Sequence, residues 1–177
     1  MEWIEVPEKG LTLREVRTMT NRNVNLSDDL EKSVSAILAQ VKEGGDEDIR
    51  ALTKKFDGVD LTDFRVSESE IEEAVKAVGP EFLAVLKEAK ENIEAFHREQ
   101  VRKSWSKTFR DGVELGERFL PIQRVGVYVP GGRAAYPSTV LMDTVPAMVA
   151  GCPSVAMATP PGKDGKVNPN ILAAAYV

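Results

Sequence analysis

A glycine-containing turn between two apolar runs is the segment of this chain best suited to hold a ligand. The run at residues 125–129 stops at Pro130-Gly131-Gly132, and an apolar helical pattern and a second run, Val155–Ala158, follow. This order predicts a parallel β-α-β unit, which places ligands at the carboxyl ends of its strands. The glycines let the backbone approach a ligand, and the helix N-terminus offers free N–H groups to a phosphate. A tight strand-to-helix turn without a ligand fits the same spacing.

Tyr128 is the one aromatic side chain in the first apolar run. An aromatic ring at the carboxyl end of a strand can stack on a flat ligand ring. The alternative is a core tyrosine bonded to a backbone carbonyl, since buried aromatic residues usually serve packing. The turn matches neither the dinucleotide-binding GxGxxG pattern nor the P-loop, so no standard phosphate-binding fingerprint decides between the two.

Side chains typical of metal sites and nucleophilic catalysis are scarce. His97 is the only histidine and Cys152 the only cysteine. A lone histidine cannot build a zinc site or a catalytic triad without partners, so we predict a structural or surface role for His97. Cys152 has no cation beside it in the sequence to favour the thiolate, which predicts a buried and inert thiol. A single cysteine excludes an internal disulfide and fits a reducing cytoplasm.

The elements before the turn are predicted to be helices followed by a hairpin. Apolar residues at helical spacing predict helices from Ser27 to about residue 43, over residues 46–56, after a capping box of Ser67 and Glu70, and over residues 80–101. Phe56 and Phe96 are expected on inward faces. Alternation on both sides of Asp111-Gly112 predicts an antiparallel hairpin. In the helix after the turn, Pro146 should cause a kink or a restart.

Charge divides the chain into two parts. Residues 125–177 contain only five charged side chains, which indicates a buried sheet layer after a region of solvated helices. We therefore predict an α/β fold, with a helical arm and part of a first domain over 1–123 and the start of an incomplete parallel sheet over 124–177. A net charge of −5 and a pI of about 5.1 argue against nucleic-acid partners. No apolar stretch is long enough for a membrane span, and the first residues do not have the pattern that predicts a secretion signal.

The last residues predict a chain that is part of a longer protein. Asn168 and Pro169 begin an apolar helical pattern that runs to Val177 without a helix-ending glycine. Two strands are also too few for a stable parallel sheet. A short protein whose apolar tail docks on a partner is the alternative.

Several segments together resemble the histidinol dehydrogenase family, from about Ser33 to the end of the chain. The most specific are GVYVPGG (126–132) and YPSTVLM (136–142), followed by PAMVAGC (146–152) and TPP (159–161). Earlier segments agree: GDE (45–47) continuing to KFD (55–57), and the pattern NI..FH..Q (92–100).

The resemblance implies an enzyme larger than this chain. Members of the family oxidise L-histidinol to L-histidine in two NAD-dependent steps, as homodimers of two incomplete dinucleotide-fold-like domains related to aldehyde dehydrogenases. A zinc ion holds the substrate, and the zinc ligands and proton acceptors lie beyond residue 177. One cofactor residue of the family corresponds to Tyr128, with Pro130, Gly131 and Gly132 as its motif neighbours. The chain alone is expected to be inactive.

Two other readings remain open on the sequence. Another enzyme of the aldehyde-dehydrogenase-like fold, such as a semialdehyde dehydrogenase, would use a cysteine nucleophile and no zinc. A truncated, non-catalytic chain would only fold, self-associate or bind a partner.

Overall fold

The computed structural model describes residues 10–13, 15–16, 28–131 and 135–177. Within these ranges the principal elements are α1 (Asp28–Gly44), α2 (Asp46–Phe56), α3 (Glu68–Arg98), β1 (Trp105–Arg110), β2 (Val113–Glu117), β3 (Val125–Tyr128), α4 (Pro137–Val149), β4 (Val155–Ala158) and α5 (Pro169–Tyr176). The predicted α/β class is confirmed. The chain divides into two compact units, Met1–Asp48 and Ile49–Val177. Ser27 and Gly132 lie outside the described residues.

The first unit contains α1. Gly45 ends this helix as predicted: its φ is 60° and its N–H donates to the carbonyl of Val41 at 2.9 Å. The apolar stripe of α1 is present at helical spacing, and Val34 and Leu38 on it are exposed. The amphipathic pattern therefore predicted the helix correctly, but it did not predict whether another element would bury the apolar face.

The second unit begins its long helix α3 with the predicted capping box. The Ser67 hydroxyl accepts from the Glu70 N–H at 3.2 Å, and the Glu70 carboxylate accepts from the Ser67 N–H at 2.8 Å. Gly79 interrupts the helix with φ 77° and ψ 166°, just before Pro80. The helical pattern therefore breaks at the predicted position, because only glycine adopts this backbone conformation without strain.

The capping box gives a stability prediction. Ser67→Ala removes the acceptor for the Glu70 N–H and should lower the free energy of unfolding by about 1 kcal/mol. Chemical denaturation followed by circular dichroism measures the change. Ser69→Ala is the control, because the Ser69 hydroxyl reaches only the Ser67 hydroxyl, at 2.9 Å. Equal losses for the two variants would contradict a capping role.

The Glu70 half of the box adds a pH dependence. Hydrogen bonds from the backbone N–H and the hydroxyl of Ser67 lower the pKa of Glu70 below its ordinary value of 4.5. The depressed folded-state pKa means that the stabilisation is present above pH 4.5 and is lost as the pH falls through the lower value. Glu70→Gln should therefore reduce the dependence of stability on pH in this acidic range.

The predicted hairpin is confirmed. β1 and β2 pair antiparallel, with Lys107 opposite Leu115, and Gly112 in the turn has φ 77°. Among the described elements, none packs against this hairpin. Its apolar face, which includes Trp105, Phe109 and Leu115, is exposed.

The core of the second unit lies on one side of the parallel pair β3–β4. Helices α3, α4 and α5 pack against one another there. The fully buried members of this cluster include Val129 after β3, Val140 of α4 and Ile171 of α5, and Met157 of β4 packs against it. One face of the sheet is therefore covered by helices, while the face carrying Gly126, Tyr128, Ala156 and Ala158 is exposed.

Some inward-facing residues were predicted wrongly. Phe56 and Phe96 are both more than half exposed, although each lies on an apolar helical stripe. Each of these residues lies in the last turn of its helix. No described element covers either of them. The restart predicted at Pro146 is absent, since α4 runs from Pro137 to Val149 without a break, and a kink there stays a prediction. Pro146 has no N–H to donate to the carbonyl of Met142, and Met142 is an exposed residue.

Candidate functional site

The parallel register brings the carboxyl ends of β3 and β4 side by side. Tyr128 lies opposite Ala158, and Val125 lies opposite Val155. Beyond the strands, the Val129 N–H donates to the Ala158 carbonyl at 2.9 Å. The predicted strand-turn-helix-strand unit is therefore confirmed, and both strands end at the same edge of the sheet.

The segments that leave the two strands are close to each other. A Cβ atom added to Gly131 would lie 3.0 Å from Cγ and 3.3 Å from Cδ of Pro160. A larger residue at position 131 would have to displace the ring of Pro160. Val129, which is completely buried, fixes the start of the turn in the core. Gly131 thus allows a close approach of backbone at the site where a ligand is predicted.

Tyr128 lies on the exposed face of the sheet. Its side chain is 64% exposed, whereas Val127 and Val129 on either side face the helices. The described residues therefore do not bury the Tyr128 ring in a core. The neighbouring positions on the same face are Gly126, Ala156 and Ala158, so the residues around Tyr128 on this face are all small.

Helix α4 begins directly after the turn. Pro137 occupies its first turn, and Tyr136 at the N-cap makes no side-chain capping hydrogen bond. The Thr139 N–H donates to the Tyr136 carbonyl at 3.1 Å. In a β-α-β unit the helix N-terminus and the strand ends share one edge of the sheet, so the positive end of the α4 dipole contributes to this edge.

Four residues at this edge were not predicted from the sequence as part of a site: Gly126, Ala156, Ala158 and Pro160. The three small residues occupy alternate positions on two strands, and this period of two was the available signal that they share a face. Pro160 could not be found from its sequence position, because its approach to Gly131 depends on the register between β3 and β4.

His97 and Cys152 lie outside the segments that form this edge of the sheet. His97 Nδ1 is 2.6 Å from Oε1 of Gln100, and its ring meets Phe96 edge to face at 5.3 Å between centroids. Cys152 is half-buried rather than buried, because it lies in the loop after α4. A structural or surface role for His97 stays a prediction.

The described residues contain neither a cluster of metal ligands nor a helix suited to a membrane. In these ranges, no three or more histidine, cysteine, aspartate or glutamate side chains come together in a way that could hold a metal ion. None of the helices in the described part of the chain is both long and apolar enough to cross a bilayer.

The fold defines an α/β protein in which an exposed tyrosine and a glycine turn lie at the carboxyl ends of two parallel strands. A sequence model of histidinol dehydrogenase matches residues 20–177, and the chain belongs to the histidinol dehydrogenase family. It is 49% identical over 161 residues to the histidinol dehydrogenase of Heliobacterium mobile, covering 90% of this chain and 36% of that protein. It is 47% identical over 171 residues to that of Chlorobaculum tepidum, covering 97% of this chain and 39% of that protein.

A solved structure supports the same assignment. The crystal structure of histidinol dehydrogenase from Elizabethkingia anophelis superposes with a TM-score of 0.83 at 37% sequence identity. The match covers 94% of this chain and 38% of that one. The chain therefore spans well under half the length of the relatives it matches.

Proposed function

We propose that this chain is the N-terminal part of a histidinol dehydrogenase and supplies the first portion of its NAD site. In this proposal, residues 1–123 form a helical arm with part of the first domain, and residues 124–177 begin the NAD-binding domain. The observation that carries it is the exposed ring of Tyr128 at the carboxyl edge of a parallel strand pair, beside Gly131. The complete enzyme would oxidise L-histidinol to L-histidine.

The described residues at this edge fit a flat, phosphate-bearing cofactor. The ring of Tyr128 can stack on a base or on nicotinamide, and the small side chains of Ala156 and Ala158 leave room on its face. Gly131 lets the segment after β3 pass close to Pro160 at this edge, and the start of α4 favours negative charge. Pro130 and Gly132 are proposed neighbours of the same site. When bound, NAD accepts hydride from the substrate.

Zinc and L-histidinol are assigned to the part of the enzyme that this chain does not span. The described side chains bring together no set of ligands for zinc, which needs three or four. We therefore assign no metal contact to the described residues. A cytoplasmic homodimer is proposed on the family relationship. That relationship also makes a semialdehyde dehydrogenase or a non-catalytic module less favoured.

The test is a chimeric enzyme. Residues 1–177 would be joined to the remainder of the Heliobacterium mobile histidinol dehydrogenase, and NADH formation would be followed with L-histidinol. We expect two NADH per L-histidinol from the chimera and none from the 177-residue chain alone. The complete Heliobacterium mobile protein is the positive control.

A folded chimera without L-histidinol oxidation, beside an active positive control, would contradict the proposal. Activity on a semialdehyde but not on L-histidinol would replace it with the alternative enzyme class. Circular dichroism and size-exclusion chromatography of the chimera establish that it is folded.

A further inference from the structure

The close approach of Gly131 and Pro160 joins the two segments that leave the sheet at its carboxyl edge. The Val129 N–H donates to the Ala158 carbonyl at 2.9 Å, and Val129 is completely buried. Gly131 and Pro160 each lie two residues beyond this hydrogen bond. Because two residues span at most about 7 Å, both segments are held close to the strand ends at the place where they meet.

The ring of Pro160 fills the space beside Gly131. A Cβ atom at position 131 would lie 3.0 Å from Cγ and 3.3 Å from Cδ of this ring, and 3.5 Å from the Pro160 carbonyl oxygen. Favourable contacts between carbon atoms have separations of about 3.5–4.0 Å, so both ring atoms would be too close. Apart from the chain neighbours of Gly131, the Pro160 ring is therefore the one group of the described residues that would crowd a side chain there.

The backbone conformation at position 131 does not itself require a glycine. Gly112 and Gly151 have φ values of 77° and 83°, a region that residues with a Cβ atom rarely adopt. Gly131 does not lie in this region. The need for a residue without a side chain at position 131 therefore comes from its neighbour across the edge and not from the shape of the turn.

Pro160 is suited to hold this turn in place. Its ring is closed onto the backbone and fixes φ near −65°, so it cannot rotate away from Gly131 as an open side chain would. The residue is half-buried and comes two positions after the end of β4. A rigid group at a fixed strand end gives the turn a definite position, and binding sites need their parts placed to within about 0.5 Å.

We propose that Pro160 is a positioning residue of the NAD site and acts through its close approach to Gly131. The proposal rests on the function proposed above, in which the turn after Tyr128 seats NAD. It assigns the need for glycine at position 131 to the fit against Pro160 and not to the space that the cofactor takes. Positions 131 and 160 are thus a size-matched pair, in which the missing side chain of one residue makes room for the rigid ring of the other.

The test is a double-mutant cycle in the chimeric enzyme, with the dissociation constant of NAD measured by isothermal titration calorimetry. Gly131→Ala should push the turn away from Pro160 and raise this constant about fivefold or more, because small misplacements weaken a preorganised site. Pro160→Ala removes the ring without adding a clash, and a rise of about threefold is expected. In the double variant the new methyl group takes the space of the lost ring, so the constant should return to within about twofold of the unsubstituted value.

Gly131→Ala combined with Pro161→Ala is the matched control. Pro161 is the next proline in the chain, and none of the three atoms nearest to a Cβ atom at position 131 belongs to it. Its replacement should therefore leave the weaker binding of Gly131→Ala unrelieved. Circular dichroism and thermal unfolding establish that each variant is folded at the temperature of the titration. If Gly131→Ala does not fold, Pro160→Ala decides alone, and an unchanged dissociation constant overturns the proposal.

The outcomes separate this inference from the proposed function. No rise for Gly131→Ala, or equal relief by Pro160→Ala and Pro161→Ala, would overturn the positioning role. A rise that Pro160→Ala does not relieve would assign the space at position 131 to the cofactor and would also overturn it. A chimera that shows the expected coupling but does not oxidise L-histidinol would contradict the proposed function only. An active chimera without the coupling would contradict the role of Pro160 only, and one that binds no NAD would contradict both.

Discussion

Tyr128→Ala in the chimeric enzyme is expected to raise the KM for NAD by about 5-fold to 150-fold, because stacking of an aromatic ring on a base contributes about 1–3 kcal/mol. The KM for L-histidinol should change much less, since the substrate is assigned to another part of the enzyme. Initial-rate kinetics with each substrate varied in turn measure both values.

Tyr128→Phe is the matched control for this substitution. It keeps the ring and removes only the hydroxyl, so the KM for NAD should remain within about threefold of the unsubstituted value if stacking is the main contribution. Equal increases in both KM values for Tyr128→Ala, or no increase in either, would contradict a role in seating NAD. A loss for Tyr128→Phe as large as for Tyr128→Ala would assign the effect to the hydroxyl instead of the ring.

Ile171→Ala is expected to destabilise the unit Ile49–Val177 by about 2–5 kcal/mol. Ile171 is 1% exposed and lies in the cluster shared by α3, α4, α5 and the sheet. Its truncation removes apolar contacts and leaves a cavity that closely packed neighbours fill only in part. Typical domains have a total stability of about 5–15 kcal/mol, so this variant should unfold at a clearly lower denaturant concentration.

Ile122→Ala is the control, with the same change at a residue that is 68% exposed. It should alter the free energy of unfolding by no more than about 0.5 kcal/mol. Urea denaturation of both variants, followed by circular dichroism, gives the comparison. A similar loss at the two positions would show that the cluster around Ile171 is not the core that holds this unit together.

Local sequence signals predicted the elements well. The capping box of Ser67 and Glu70, the turn at Asp111-Gly112 and the start of α5 after Asn168 each depend on residues within a few positions of one another. The apolar run at residues 125–129 likewise predicted β3. Such signals decide hydrogen bonds and backbone conformation within a single element or turn.

Burial was predicted less well, because it depends on what lies opposite a face. Phe56 and Phe96 have the spacing of core residues, yet the described elements leave both exposed. Tyr128 could equally have been a core residue, and only the register and the position of the helices show that its face of the sheet is uncovered. The proximity of Gly131 and Pro160 depends on the same long-range pairing.

A crystal structure of the chimeric enzyme with NAD tests most directly whether Tyr128 and the adjacent turn seat NAD in a histidinol dehydrogenase. We expect contact between the Tyr128 ring and a flat ring of NAD, with Gly131 close to the cofactor. NAD bound elsewhere, with the Tyr128 ring covered by protein side chains, would contradict it.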